Sequence, residues 1–271
     1  MSVKTDPTGR RSMEITFEVA GTPEEVWRAI ATGPGVSSWF VPTEFEERDG
    51  KPVAIKLGFG PGMEARSEIT AWNPPRMYAS TADGWLPGSP PIVGEWHVEA
   101  RAGGVCVVRI VQSLFASTDD WDMQLEAAAV AMASFIKVLQ IQMAHFRGQP
   151  MATHHLQAPS TGTDAEGWDL LTSALGLRGM KVGQRFTAPA GVPMLSGVVE
   201  YATENPFDAV LLLDKPAPGI GVLGIAGMPG GPYLLAMVIH LHGEQAAATM
   251  AHEAPAWDAW MREHFPTGGS Q

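Results

Sequence analysis

One helix-opening pattern is spelled twice in this chain. Threonine, two residues, glutamate, one residue and tryptophan run through Thr22-Pro23-Glu24-Glu25-Val26-Trp27 and again through Thr163-Asp164-Ala165-Glu166-Gly167-Trp168. In such a box the threonine oxygen accepts from a free first-turn N–H, and the glutamate three residues on accepts from the threonine N–H. Other landmarks keep the same order. Ala71-Trp72-Asn73-Pro74 is answered by Thr203-Glu204-Asn205-Pro206, and Trp121-Asp122, opening a helix, is answered by Trp257-Asp258. The period is the length of a domain and far too long for a solenoid repeat. The pattern predicts a duplicated domain, with Trp27 equivalent to Trp168 and Trp121 to Trp257. A chain of 271 residues has room for two domains, expected over 12–148 and 151–266.

Composition narrows the function. Hydrophobic residues make up 45%, so each half can bury a core. The net charge of −11, with no basic stripe, disfavours nucleic acid. Met1 to Arg11 lacks the apolar stretch of a signal peptide, and no apolar run reads as long enough to span a membrane. Cys106 is alone, which fits a reducing compartment, and it lies in an apolar strand as an inert thiol. A cytoplasmic protein is expected.

In the first half, Met13, Ile15, Phe17 and Val19 alternate with polar residues and predict a strand with one wet face. The capped helix follows, with Val26, Trp27 and Ile30 on one stripe, closed by Gly33-Pro34-Gly35. A short helix is expected over Val36 to Phe40, then six strands broken at Asp49-Gly50, Gly60-Pro61-Gly62 and Gly103-Gly104. A long apolar helix from about Asp119 to Phe146 ends the half. The fold class is α+β, an antiparallel sheet curled around that helix.

Gly21 to Ile30, with Trp39-Phe40 a short step later, resembles the opening of START-like domains, the SRPBCC superfamily with the Bet v 1 (helix-grip) fold. The narrower resemblance is to the branch of the Hsp90 ATPase activators. It covers Met13 to Phe146 well and Met151 to Phe265 loosely, and it specifies fold more than activity.

The second half reads as a degenerate copy. Strands are expected over His154 to Ala158, Met180 to Thr187, Val198 to Tyr201, Ala209 to Leu213, Gly221 to Ala226, Tyr233 to His242 and Gln245 to Glu253. His242-Gly243-Glu244 is expected as a hairpin turn. The last helix, Trp257 to Phe265, spans about three turns at most. In the family the long helix closes one side of the cavity, so this half is expected to build no such pocket alone.

No catalytic constellation stands out. His240 and His242 share a strand face and, with His252, make at best a loose zinc set. His154-His155 point to opposite faces. Glycine-rich stretches such as Gly227-Met228-Pro229-Gly230-Gly231 lack the lysine and the capped helix of a phosphate loop. Catalytic residues, metal and cofactor are each expected to be none.

A sheet gripping a helix tends to leave an apolar cavity. Candidate ligand-binding residues are Trp39, Phe40, Trp72, Trp85 and Trp96, with Met132, Phe135, Leu139 and Met143 from the long helix. A solid core would use the same residue types, but fourteen methionines suit an adaptable pocket. Ala133 and Ser134 are the small helix residues where a bulky side chain would test this. Arg109 is a further candidate. With Ser113 it sits in the cavity if Val105, Val107 and Val111 face inward, and it is an ordinary surface cation if they face outward. The expected function is non-enzymatic binding of a hydrophobic small molecule. The alternatives are a co-chaperone-like module that binds a chaperone or other protein, and a cyclase or hydrolase.

Overall fold

A computed structural model describes residues 3–60, 63–83, 88–116, 118–160, 162–204, 207–227 and 233–265. The Pro61-Gly62 break, Trp85, the Asn205-Pro206 turn, the glycine-rich stretch 228–231 and the tail after 265 lie outside the described residues. The chain divides into two compact units, Met1–Ala144 and His145–Gln271.

The first unit runs β1 (Lys4–Thr5), β2 (Arg10–Ala20), α1 (Pro23–Ile30), α2 (Gly33–Ser37), β3 (Thr43–Arg48), β4 (Lys51–Gly60), β5 (Met63–Asn73), β6 (Met77–Ala82), β7 (Ile92–Arg101), β8 (Val105–Phe115) and α3 (Asp122–His145). Its strands form one antiparallel sheet in the order β1-β2-β8-β7-β6-β5-β4-β3, so the first long strand lies beside the last. This is the helix-grip fold.

The capping box of α1 is complete. Thr22 N–H donates to Glu25 Oε2 at 2.8 Å, and Glu25 N–H donates to Thr22 Oγ1 at 3.3 Å. Val26, Trp27 and Ile30 are buried. Gly33-Pro34-Gly35 does not close α1, which ends at Ile30. It opens α2 instead, behind the cap Thr32. A Cβ on Gly35 would stand 1.9 Å from the Arg28 carbonyl oxygen, so only glycine lets the two helices approach here. On β2, Met13 and Val19 are buried, while Phe17 is half-buried and not the core residue expected.

Helix α3 is 24 residues long. By length and composition it is long and apolar enough to cross a membrane, contrary to the expectation from sequence. Leu125 and Ala129 pack with Met13 of β2 and Leu114 of β8. Burial of α3 is less complete than expected, because Met123 and Val130 stay exposed in its first half. Three polar ties hold it. The Arg11 guanidinium binds Asp122, Gln140 Nε2 donates to Glu18 O at 2.9 Å, and Gln142 Nε2 donates to Ser38 Oγ at 2.7 Å.

The second unit runs β9 (Met151–Pro159), α4 (Asp164–Ala174), β10 (Arg185–Thr187), β11 (Ser196–Glu204), β12 (Phe207–Lys215), β13 (Gly219–Gly227), β14 (Tyr233–His242) and α5 (Ala246–His264). Its sheet order is β10-β11-β12-β13-β14-β9. The first strand again pairs with the last, so the fold is present twice. Thr163 and Glu166 form the second complete box, with Thr163 N–H donating to Glu166 Oε2 at 2.8 Å and Glu166 N–H to Thr163 Oγ1 at 3.2 Å. Trp27 and Trp168 therefore occupy the same position in their helices.

The end of the chain corrects the sequence reading. Gln245 to Glu253 is no strand. The alanines of Ala246-Ala247-Ala248 are the strongest helix formers, and α5 runs for 19 residues. Pro255 lies inside it and removes one backbone hydrogen bond. The helix continues because Trp257, Trp260 and Met261 are buried in the core of this unit. His242-Gly243-Glu244 thus leads into α5 and not into a hairpin. Trp257 lies deep in α5 whereas Trp121 precedes α3, so those two tryptophans are not equivalent. Of the strand expected over Met180 to Thr187, only Arg185–Thr187 forms.

Candidate functional site

The inner face of the first sheet is built from cross-strand rows. One row sets Trp72 opposite Tyr78, Tyr78 opposite Trp96, and Trp96 opposite Ile110. The rings touch along it. Trp72 and Tyr78 lie 5.8 Å apart, and Tyr78 stacks on Trp96 at 6.1 Å. Trp96 meets Trp39 at 6.0 Å, Trp39 stacks on Phe40 at 5.6 Å, and Phe40 meets Phe135 of α3 edge-on at 4.6 Å.

The neighbouring row is small and polar. Ser80 pairs with Gly94, and Gly94 pairs with Gln112. Glycine in mid-strand costs stability and often marks a place where something approaches the backbone. A Cβ added at Gly94 meets one atom within 4 Å, the Ser80 hydroxyl at 3.9 Å. Beside the row of aromatic side chains, this gap opens a cavity of about 320 Å³. It is walled by Trp39, Phe40, Tyr78 and Trp96 and closed by Ala128, Ala131, Met132 and Phe135 of α3. Phe59, at the end of β4, lies 6.0 Å from Phe40 and is 47% exposed, so it marks the rim.

Its polar groups are few. Two ring tips are turned away to α1, with Tyr78 Oη donating to Ile30 O at 3.2 Å and Trp39 Nε1 donating to Ala29 O at 2.9 Å. Burial pushes the Tyr78 phenol far above its ordinary pKa, so it is neutral. Ser67, Ser80 and Gln112 add further polar side chains to the lining. Gln112 Oε1 is buried and has no hydrogen-bond partner among the described residues. An orphaned acceptor of this kind is costly, which singles out Gln112 as a group awaiting a donor.

Five of the sequence candidates line this cavity: Trp39, Phe40, Trp96, Met132 and Phe135. Trp72 stands behind it, packed on Trp27, Phe45 and Tyr78. Leu139 and Met143 are buried further along α3 and do not reach the lining. Trp85 lies outside the described residues. The small helix residues at the cavity are Ala128 and Ala131, not Ala133 and Ser134.

Arg109 is a correction. On β8 the buried face carries Cys106, Val108, Ile110 and Leu114, so alternation sends Arg109 to the opposite side. There it faces Glu14 at 3.7 Å with 41% of its side chain exposed. Ser113 shares Arg109's side of the strand. Gln112 was missed because amide residues are common at strand surfaces. Its signal was the in-phase spacing with Ile110 and Leu114.

No cluster of three or more metal-ligating side chains occurs among the described residues. His240 and His242 are buried, but His252 is exposed on α5. His240 Nδ1 lies 2.9 Å from Thr153 Oγ1, and His242 stacks on Phe146 at 4.3 Å.

The cavity thus lies between the sheet and the long helix of a helix-grip domain and is ringed by aromatics. The family described as polyketide cyclase / dehydrase and lipid transport matches residues 10–145, and the chain belongs to that family. Among solved structures, the chain is similar to the di-domain ARO/CYC BexL from the BE-7585A biosynthetic pathway. Identity is 14% over 95% of this chain and 99% of that one, with a TM-score of 0.47. It is also similar to DynU16, a putative protein in the dynemicin biosynthetic locus, at 13% identity over 94% and 95% of the two chains and a TM-score of 0.41. CalU16 from Micromonospora echinospora is 18% identical over 53% of this chain and 85% of its own, with a TM-score of 0.40. No curated protein matches.

Proposed function

We propose that the first unit binds a neutral, largely aromatic small molecule in the cavity between its sheet and α3, without transforming it. The observation that carries this reading is the Ser80–Gly94–Gln112 row, which opens the space and leaves one buried acceptor inside it. Aromatic walls supply apolar contact, and Gln112 selects ligands that offer a hydrogen-bond donor. A cytoplasmic setting, suited to the lone buried Cys106, is part of the proposal.

Family membership favours a second reading, in which the same cavity folds a polyketide chain for ring closure. Gln112 and Ser80 would then orient a carbonyl or enol, and product analysis by mass spectrometry would show loss of water from a synthetic poly-β-keto thioester.

The test of binding is Gly94→Leu. Its side chain enters the void from a strand that gains propensity, so the melting temperature should hold or rise while uptake of the neutral dye N-phenyl-1-naphthylamine falls by one equivalent. Unchanged uptake would remove this cavity as the site, and a co-chaperone-like protein-binding role would become the better reading.

A further inference from the structure

The second unit holds a cavity of about 380 Å³, and no residue of its C-terminal helix lines it. Its cause is the way the C-terminal helix is placed. Helix α5 packs chiefly on β9 and β14, and α4 packs on β12, β13 and β14. The ground above β11 and β12 is roofed by Trp168 and Thr172 of α4 and by the loop 177–182. Small side chains lie beneath, Ala202 on β11 and Ala209 on β12. The floor is apolar, with Val199, Leu211 and Leu223 each at most 3% exposed. Trp168, the counterpart of Trp27, forms a wall with its ring 6.0 Å from Phe207.

Charge separates the two cavities. No charged side chain lines the first among the described residues. The second includes Lys181, exposed at the rim, which makes no ion pair among the described residues. Its backbone is fixed, because Lys181 N–H donates to Gln184 Oε1 at 2.8 Å. A cation beside an apolar floor recognises a ligand with a greasy body and an anionic end.

We infer that the second unit carries its own binding site, for an apolar carboxylate whose body lies on Leu211 and Leu223 and whose carboxylate pairs with Lys181. This chain then holds two sites of opposite preference, one for neutral ligands and one for acids. The inference does not depend on the first cavity being occupied.

The experiment titrates the full chain with pyrenebutyrate and with neutral pyrenemethanol, following fluorescence. Lys181→Gln lies on the surface and leaves the fold intact. It should weaken pyrenebutyrate about threefold at low salt and leave pyrenemethanol unchanged. Ala209→Leu fills the floor and should weaken pyrenebutyrate by about tenfold or more, with melting temperature followed as a control. Gly94→Leu should leave the pyrenebutyrate site intact. If Gly94→Leu abolishes pyrenebutyrate binding, the first cavity is the acid site and the inference fails. It fails equally if Lys181→Gln affects both ligands alike or neither. Loss of dye uptake at the first site with pyrenebutyrate binding retained separates this inference from the function proposed above.

Discussion

At the residue scale, most of the site's character rests on Gln112. A buried acceptor without a partner costs about 1–3 kcal/mol, and replacing it by an apolar group of similar size removes that cost. Gln112→Leu should therefore stabilise the unliganded protein by about 1 kcal/mol in urea unfolding. It should also lower affinity for 1-naphthol more than for naphthalene, because only the naphthol offers a donor. Destabilisation, with the two ligands affected equally, would show that the amide is already satisfied within the fold. Arg109 illustrates the converse. A charged residue in an apolar strand attracts attention, yet one step of alternation places it beside Glu14 in water.

At the scale of elements, the two capping boxes locate α1 and α4 but contribute modestly to stability. Thr22→Ala should cost about 1 kcal/mol, whereas Trp27→Ala should cost about 3–5 kcal/mol, since Trp27 is buried against Trp72 and Tyr78. Phe17→Ala should fall between them, because Phe17 is half-buried. Thermal unfolding that ranks Thr22→Ala as the worst of the three would show that the core lies elsewhere. The first unit was legible because its signals are local. Caps, alternation from Met13 to Val19 and the paired glycines at 103 and 104 each act over a few residues. The second unit was less so. Pro255 reads as a helix stop, and only tertiary burial of Trp257 and Trp260 overrules it. The cavity was legible in its aromatic walls but not in its gap, since Gly94, Ser80 and Gln112 come together only through strand pairing.

At the scale of the whole molecule, acid should weaken the fold through its buried histidines. Burial holds His240 down to about 3 and His242 down to about 4, against an ordinary value of 6.5. Both are neutral in the fold and take up protons below pH 6.5 once unfolded. Their stabilising effect is thus complete above that pH and is lost progressively as pH falls from about 6.5 to about 4 for His242 and about 3 for His240. At pH 5 each represents about 2 kcal/mol, so the melting temperature should drop clearly from pH 7 to pH 5. The drop should be shallower in His242→Gln, and identical slopes would show that His242 opens to solvent. Gly94 has a different kind of consequence. The first cavity owes its volume to a missing side chain in a regular strand, and every glycine codon is one base change from alanine and from valine. Cavity depth can therefore be graded in single mutational steps that leave the backbone untouched. A lineage carrying this fold can thus change the size of the molecule it accepts without first passing through a damaged protein.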